Sequence, residues 1–381
     1  TSYLIPHTSY LIPHTSYLAA GEHNHTSRCY LLMGDRKIKL SVLDQSIVRK
    51  AGNASQAIAE TIAVAKLTDK LGYSRFWVSE HHNSTMIAGS VPELLMVKLA
   101  DETSRIRIGS GGIMLPNHSA LKVAESFRML ETLFPNRIDL GMGRAPGSDR
   151  VTASILNPSN TFSEESYIQQ LEHLQAFFND QAGTSYGPIL AVPQSATMPQ
   201  QWILSSSGGS SAIAARFGMG LAVAKFINGF ANPEMVESYR RNFKPSYTFP
   251  EPQALLAIQV LCADTEEQAS QLRKVADYVL LQFEKGHFEP FGGYDEIKDY
   301  EFTSMELERI TANSGRVVSG TPDKVKEQLT RLANDFDIDE IIVSCMAFSF
   351  QDRKHSFELL AEAFDLEPAN SQQLPVMSSS L

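Results

Sequence analysis

Eight short apolar segments, each followed by a stretch with helical spacing, constrain this chain more than any other feature. They fall at residues 38–43, 76–79, 106–115, 137–143, 201–206, 220–224, 254–262 and 340–345. Apolar strands that alternate with amphipathic helices read as βα units and a parallel sheet. Eight such units predict an α/β fold, a (β/α)8 TIM barrel. Helices are expected at 55–71, at 92–103 and after Thr321, with Pro322 as the first helical residue. Two stretches, 144–200 and 266–315, exceed ordinary connections and read as insertions over the active-site end of the barrel. A doubly wound sheet is the competing architecture. Its G-x-G-x-x-G turn is missing after the first strand, where the chain runs LDQSIV.

With 381 residues, 43% of them hydrophobic and 20% charged, the chain can bury one large α/β core or two smaller ones. The formal charge of −10 and the lack of any Lys/Arg cluster argue against nucleic acid or an anionic membrane as partner. No apolar run approaches the roughly 20 residues that span a bilayer, so no membrane association is expected. Cys29, Cys262 and Cys345 have neither metal-ligand nor disulfide spacing, and a cytoplasmic location is the plain expectation.

The chain opens on TSYLIPHTSYLIPHTSYL, a repeated heptapeptide. A seven-nucleotide unit, ACCTCAT, read through its three frames encodes Thr-Ser-Tyr-Leu-Ile-Pro-His, so a DNA repeat accounts for it without a structural role. Pro6 and Pro13 would interrupt any helical heptad. Met33 is the expected natural start, and residues 1–32 are expected to be translated upstream sequence or an expression scar. The expected division is a disordered or artefactual extension over 1–34, a barrel domain over 35–368 and a flexible tail over 369–381. His7, His14, His23 and His25 then carry no functional claim.

Chemistry is expected where strands end. The second strand runs into SEHHN, placing Glu80, His81 and His82 at its C-terminal end. Adjacent histidines on an extended backbone diverge, and the H-E-x-x-H and H-x-H patterns are absent, so no metal site is expected. A histidine there suits general acid or base work, and two histidines merely satisfied by neighbours fit the local sequence equally well. Gly111 and Gly112 in the third strand allow an unusual dihedral or close approach by a flat ligand, although a simple bulge is the plainer local reading. Arg144 just past the fourth strand is placed to reach a phosphate, but a lone arginine is more often a surface charge. After the fifth strand, SSSGGSSAIAAR gathers Ser206, Ser207, Ser210 and Ser211 around two glycines at a helix start. That composition favours an anion cradle over an ordinary serine-capped helix. No G-K-[ST] follows, so it is not a Walker loop.

In order along the chain, SVLDQS, FWVSEHHN, IGSGGIMLPNHSALKVAE, LFPNRIDLGMGRAPG, SSSGGSSAIAARFGMG and GTPDKVKEQL together resemble the bacterial luciferase-like flavin monooxygenase family, in particular its stand-alone members. The resemblance covers 38 to about 366. It implies a barrel that uses reduced FMN and O2 to oxygenate a small-molecule substrate, with a separate flavin reductase supplying the flavin. It puts His81 on the histidine that assists flavin oxygen chemistry, with Glu80 beside it. Gly111 and Gly112 fall on a pair joined by a cis peptide against the isoalloxazine ring. Arg144, Ser207 and Ser210 fall on flavin-phosphate contacts, with Ser206 preceding them. The family's luciferases carry a cysteine just before that arginine; this chain has Gly143, so light emission with a long-chain aldehyde is not implied. The resemblance also implies a homodimer through 92–103 and 121–133. Two alternatives stay open: hydride transfer with the deazaflavin F420, and a non-catalytic FMN-binding protein.

Overall fold

The structure is a computed structural model that describes residues 36–159 and 162–368. The expected extension over 1–34 and tail over 369–381 lie outside the described residues. The chain divides into two units, Thr1–Lys37 and Ile38–Leu381, and every strand and helix described belongs to the second.

Eight parallel strands form a closed barrel: β1 (Lys39–Asp44), β2 (Arg75–Val78), β3 (Arg107–Met114), β4 (Ile138–Gly143), β5 (Gln200–Ser205), β6 (Gly220–Ala224), β7 (Ala254–Cys262) and β8 (Glu340–Ser344). They pair in chain order, and β8 pairs back onto β1. All eight expected strands are there, with ends shifted by a residue or two. A further strand, Val317–Gly320, extends β7 by pairing with Gln259 to Cys262. Sequence reading missed it because four residues are too few to show a period.

Local signals explain where helices start and stop. The helix Ala54–Leu71 begins on a reciprocal capping box between Asn53 and Gln56 and stops at Gly72, whose φ of 91° lies in the left-handed region. The helix Pro322–Asp335 does begin at Pro322, although the Thr321 side chain makes no capping hydrogen bond. The two long connections are largely helical. The first holds Arg150–Leu156 and Glu164–Phe178, the second Glu266–Glu284 and Ser304–Asn313. They follow β4 and β7, so they leave the barrel from its C-terminal end.

Strand alternation sends one set of side chains outward to the helices and the other into the barrel. The inner set includes Leu43, Trp77, Trp202, Ala222, Leu255, Ala257 and Ile342. Two buried tryptophans fit because glycine stands opposite each on the next strand. Trp77 is in register with Gly109, and Trp202 with Gly220. A Cβ on Gly109 would lie 2.5 Å from the Trp77 indole nitrogen, and one on Gly220 would lie 2.3 Å from the Trp202 ring. The two indoles meet edge to face, 5.7 Å apart, which fills the interior as a packed core.

Buried charge closes the N-terminal end. Asp139, fully buried, accepts from Arg75 at 2.8 Å, from Arg107 at 2.8 Å and from the Trp77 indole at 3.0 Å. Arg75 also donates to Glu340 at 2.8 Å, and Glu340 accepts from Ser41 at 2.6 Å. Burial pushes the Asp139 carboxyl upward, but the two arginines hold it below its ordinary range.

Candidate active site

The C-terminal ends of β2, β3, β4 and β5 are neighbours in the sheet, and they carry every residue singled out from sequence. At the end of β2, Glu80 is fully buried and accepts four kinds of donor. They are His82 Nε2 at 2.8 Å, His118 Nε2 at 3.0 Å, Asn117 Nδ2 at 3.1 Å and the Met114 backbone N–H at 2.8 Å. Burial, the largest single influence, pushes this carboxyl up; the hydrogen bonds from His118, His82 and Met114 outweigh it and hold it below its ordinary value. Burial likewise pulls His118 down, but the Glu80 bond and charge raise it above its ordinary value. Glu80 is therefore an anion that joins the end of β2 to the end of β3.

His81 and His82 diverge, as adjacent residues on an extended backbone must. His82 turns to Glu80, while His81 meets Gln45, whose amide donates to Nε2 at 3.3 Å. That geometry suits the neutral ring with Nε2 unprotonated. Burial depresses the His81 pKa, with the Gly147 carbonyl and Glu80 acting the other way. A neutral, half-buried imidazole at the barrel mouth is competent to accept a proton near pH 7.

The Gly111–Gly112 peptide is cis, and the β3–β4 register shifts there. Neither position has room for a side chain. A Cβ on Gly111 would lie 2.8 Å from Leu43 Cδ1, and one on Gly112 would lie 2.6 Å from Leu204 Cδ1 and 2.7 Å from the Gly141 carbonyl. Gly112 is thus required by the inner packing of the barrel because a side chain there meets backbone, whereas one at Gly111 would have to displace the Leu43 and Trp77 side chains.

Arg144, just beyond β4, is half-exposed and pairs with Glu164 at 2.5 Å, across the first insertion. Beyond β5 the helix Gly209–Phe217 starts at Gly208, with φ 88° and no side-chain cap. None of the nearby serines caps it, so the ordinary serine-capped helix does not form. The loop is tied from behind, where Asn228 Nδ2 donates to the Ser206 carbonyl at 2.7 Å. Ser207 is exposed and Ser210 half-buried. A Cβ on Gly209 would meet nothing within 4 Å. Free N–H groups at a helix start, with open space before them, make a site for an anion. Three buried hydroxyls at these strand ends, Ser79, Ser205 and Ser211, have no hydrogen-bond partner among the described residues.

Sequence reading did not find His118, Asn117 or Gln45 as parts of this site. The stretch MLPNHS was in view, but only the fold brings His118 to Glu80, 38 positions away. Among the described residues no group of three His, Cys, Asp or Glu side chains is arranged to hold a metal ion. Cys262 and Cys345 are free thiols, both buried, and no described helix is long and apolar enough to cross a membrane.

A family model described as luciferase-like monooxygenase matches residues 38–337. The uncharacterized protein YwcH of Bacillus subtilis (strain 168) is 44% identical over 330 residues, covering 86% of this chain and 99% of its own. The crystal structure of apo-MsnO8 superposes with a TM-score of 0.77 at 34% identity, covering 87% of this chain and 99% of that one. A more distant structure shares the fold at 17% identity, with a TM-score of 0.64 over 86% of this chain and 97% of its own. It is the oxygenating constituent of 3,6-diketocamphane monooxygenase from the CAM plasmid of Pseudomonas putida, in complex with FMN.

Proposed function

The chain belongs to the luciferase-like monooxygenase family, and from that premise we propose that it is an FMN-dependent monooxygenase, supplied with reduced FMN by a separate flavin reductase, that oxygenates a small organic molecule. The observation that carries the flavin assignment is the helix start at Gly208 and Gly209, uncapped and open, with Ser207 and Ser210 beside it. A phosphate monoester fits there because the helix N-terminus favours a dianion and the serines add hydroxyl donors. Arg144 is the nearby cation for it, exchanging Glu164 for the phosphate.

Reduced FMN, when bound, supplies the activation of O2. The chain's own residues do the rest. Ser207, Ser210 and the first-turn N–H groups hold the phosphate, and Ser206 is fixed through its carbonyl by Asn228. Gly111 and Gly112 form the wall for the flat ring. His81, neutral and oriented by Gln45, takes up or returns a proton. Glu80 keeps the ends of β2 and β3 in place through its bonds to His82, His118, Asn117 and the Met114 N–H.

We further propose a homodimer through the helices Pro92–Asp101 and Ala120–Leu133. Val91, Leu94, Val97, Met129 and Leu133 expose apolar surface on or beside them. Sedimentation equilibrium that shows only monomer at micromolar concentration removes this part.

The test of the function uses the flavin itself. FMN should bind more tightly than riboflavin in a fluorescence titration, and Ser207→Ala with Ser210→Ala should remove about 1–3 kcal/mol of the FMN affinity. In stopped flow, protein loaded anaerobically with reduced FMN should delay its reoxidation by O2 relative to free flavin. His81→Ala should change that rate by about 10² to 10⁴. Equal affinity for FMN and riboflavin overturns the phosphate assignment. Tighter binding of F420 than FMN points to hydride transfer, and FMN binding with no dependence on His81 points to storage.

A further inference from the structure

Burial along the strands marks open space above the inner layer that holds Trp77 and Trp202. On the strands assigned to flavin, Gly111 and Leu204 are half-buried between buried neighbours. On the opposite side Phe226 follows β6, Gln259 stands within β7 and Met346 follows β8, and these three are half-buried as well. Gln259 is the one residue of β7 that is not buried. It alternates with Leu255 and Ala257 of the inner cluster, so it points into the barrel. Phe226 packs against the same cluster, and Gln259 Nε2 donates to Met346 Sδ at 2.9 Å. None of the three is assigned to flavin.

The wall they form is uncharged. Asp44, Glu80 and Lys225 also stand at strand ends, but each is buried against partners of its own. Asp44 accepts from the Ser46 N–H and from Thr61, Glu80 from its two histidines, and Lys225 donates to the carbonyls of Gly229 and Ala231. What remains accessible from β6, β7 and β8 is an aromatic ring, a thioether and one amide. An ionised group brought against such a wall loses its water and gains no counter-charge. The Gln259 amide has capacity to spare: the thioether is a weak acceptor that takes one of its two N–H groups, and Oε1 accepts from no donor among the described residues. Met346 also lines a cleft of about 240 Å³, together with Leu272, Val275 and Tyr294 of the second insertion. That cleft carries Asp264 and Asp352, with His355 tied to Asp264 at 2.7 Å, so an approach past Met346 also disfavours an anion.

Resting on the monooxygenase reading above, we infer that Gln259 sets the specificity of the oxygenation site: the substrate is an uncharged, mainly apolar molecule with an amide or other carbonyl group. The carbonyl takes an N–H from Gln259, and the apolar body lies on Phe226 and Met346. The flavin residues stand on β2 to β5 and these on β6 to β8, so opposite walls bind the two molecules.

The probes are benzamide, benzoate and toluene, which share a ring and differ in the group it carries, titrated by calorimetry into the full chain with and without oxidised FMN. Benzamide should saturate and bind at least about tenfold tighter than benzoate. Gln259→Leu should weaken benzamide about tenfold, the size of one hydrogen bond, and strengthen toluene, while Tm holds; damage to the fold would weaken both. Saturating FMN should leave benzamide binding in place. Equal affinities for benzamide and benzoate overturn the inference. So do benzamide binding unchanged by Gln259→Leu, displacement of benzamide by FMN, or no saturation by about 20 mM. If FMN itself does not bind, the monooxygenase reading fails, while the flavin-free titrations still decide what Gln259 recognises.

Discussion

At the N-terminal end of the barrel Asp139 is held between Arg75, Arg107 and Trp77, whereas at the C-terminal end Glu80 is held between His82, His118, Asn117 and a backbone N–H. Both carboxylates are fully buried and both are pulled below their ordinary pKa. The partners differ in kind. Arginine keeps its charge at any working pH, so the N-terminal cluster has one protonation state. Histidine titrates near neutrality, so the C-terminal cluster can change charge where an enzyme operates. The same device, a buried carboxylate satisfied by several donors, closes the barrel at one end and frames a site at the other. Such a division fits a barrel whose chemistry sits at the C-terminal face.

The largest effect should come from the N-terminal end. Asp139→Asn keeps the shape but strips Arg107 of its carboxylate partner and leaves Arg75 with Glu340 alone, and should cost about 3–5 kcal/mol in urea unfolding. The folded fraction should still bind FMN normally, because none of these residues approaches the mouth; a lost FMN affinity in folded protein would break the contrast between the ends. Glu80→Gln should cost less, about 1–3 kcal/mol, since the amide oxygen still accepts from His82, Asn117 or the Met114 N–H. It should also perturb the geometry around Gly111 and Gly112, seen as a changed spectrum of bound FMN.

The pH dependence of those two losses sharpens the comparison. Glu80 sits below its ordinary 4.5 in the folded state, so its contribution is present above that pH and is lost as pH falls through the folded value. His118 sits above its ordinary 6.5, so its contribution is full below that pH and is lost as pH rises through the folded value. The penalty for Glu80→Gln should therefore be greatest between pH 4.5 and 6.5 and shrink above it. The penalty for Asp139→Asn should stay level from about pH 5 to about pH 9, because its partners do not titrate there. Urea midpoints across this range decide it, and two parallel curves would show that the ends are alike.

The smallest effect is at the helix start after β5. Gly209→Ala places a Cβ that meets nothing within 4 Å, so stability should hold or rise by about 0.4–1 kcal/mol. FMN should nevertheless bind more weakly and riboflavin unchanged, because the methyl intrudes where the phosphate would sit. An unchanged FMN affinity would move the phosphate elsewhere.

The strand order and the closed barrel were legible in the chain because each strand is a local apolar run set off by polar turns, and a right-handed sequence of eight βα units has few other ways to bury itself. The residues Glu80, His81, Gly111, Gly112, Arg144 and the serine loop were legible as candidates, since they stand where strands end. Their partners were not. Whether Glu80 would serve His81 or His82, and that His118 would join it, depends on which strand ends become neighbours, a matter of 38 residues of intervening chain. Likewise a serine-rich helix start reads as self-capped until the backbone places Gly208 at φ 88° in the cap position. The fit of Trp77 against Gly109 and of Trp202 against Gly220 is of the same kind: each residue type is visible alone, but the register that makes the pair exists only once the sheet has formed. Periodicity is a property of neighbours in sequence, and the sequence by itself determined the elements and the strand ends that periodicity marks. Hydrogen-bond partners, buried charge states and the uncharged wall around Gln259 depend on neighbours in space, and only the closed barrel decided those.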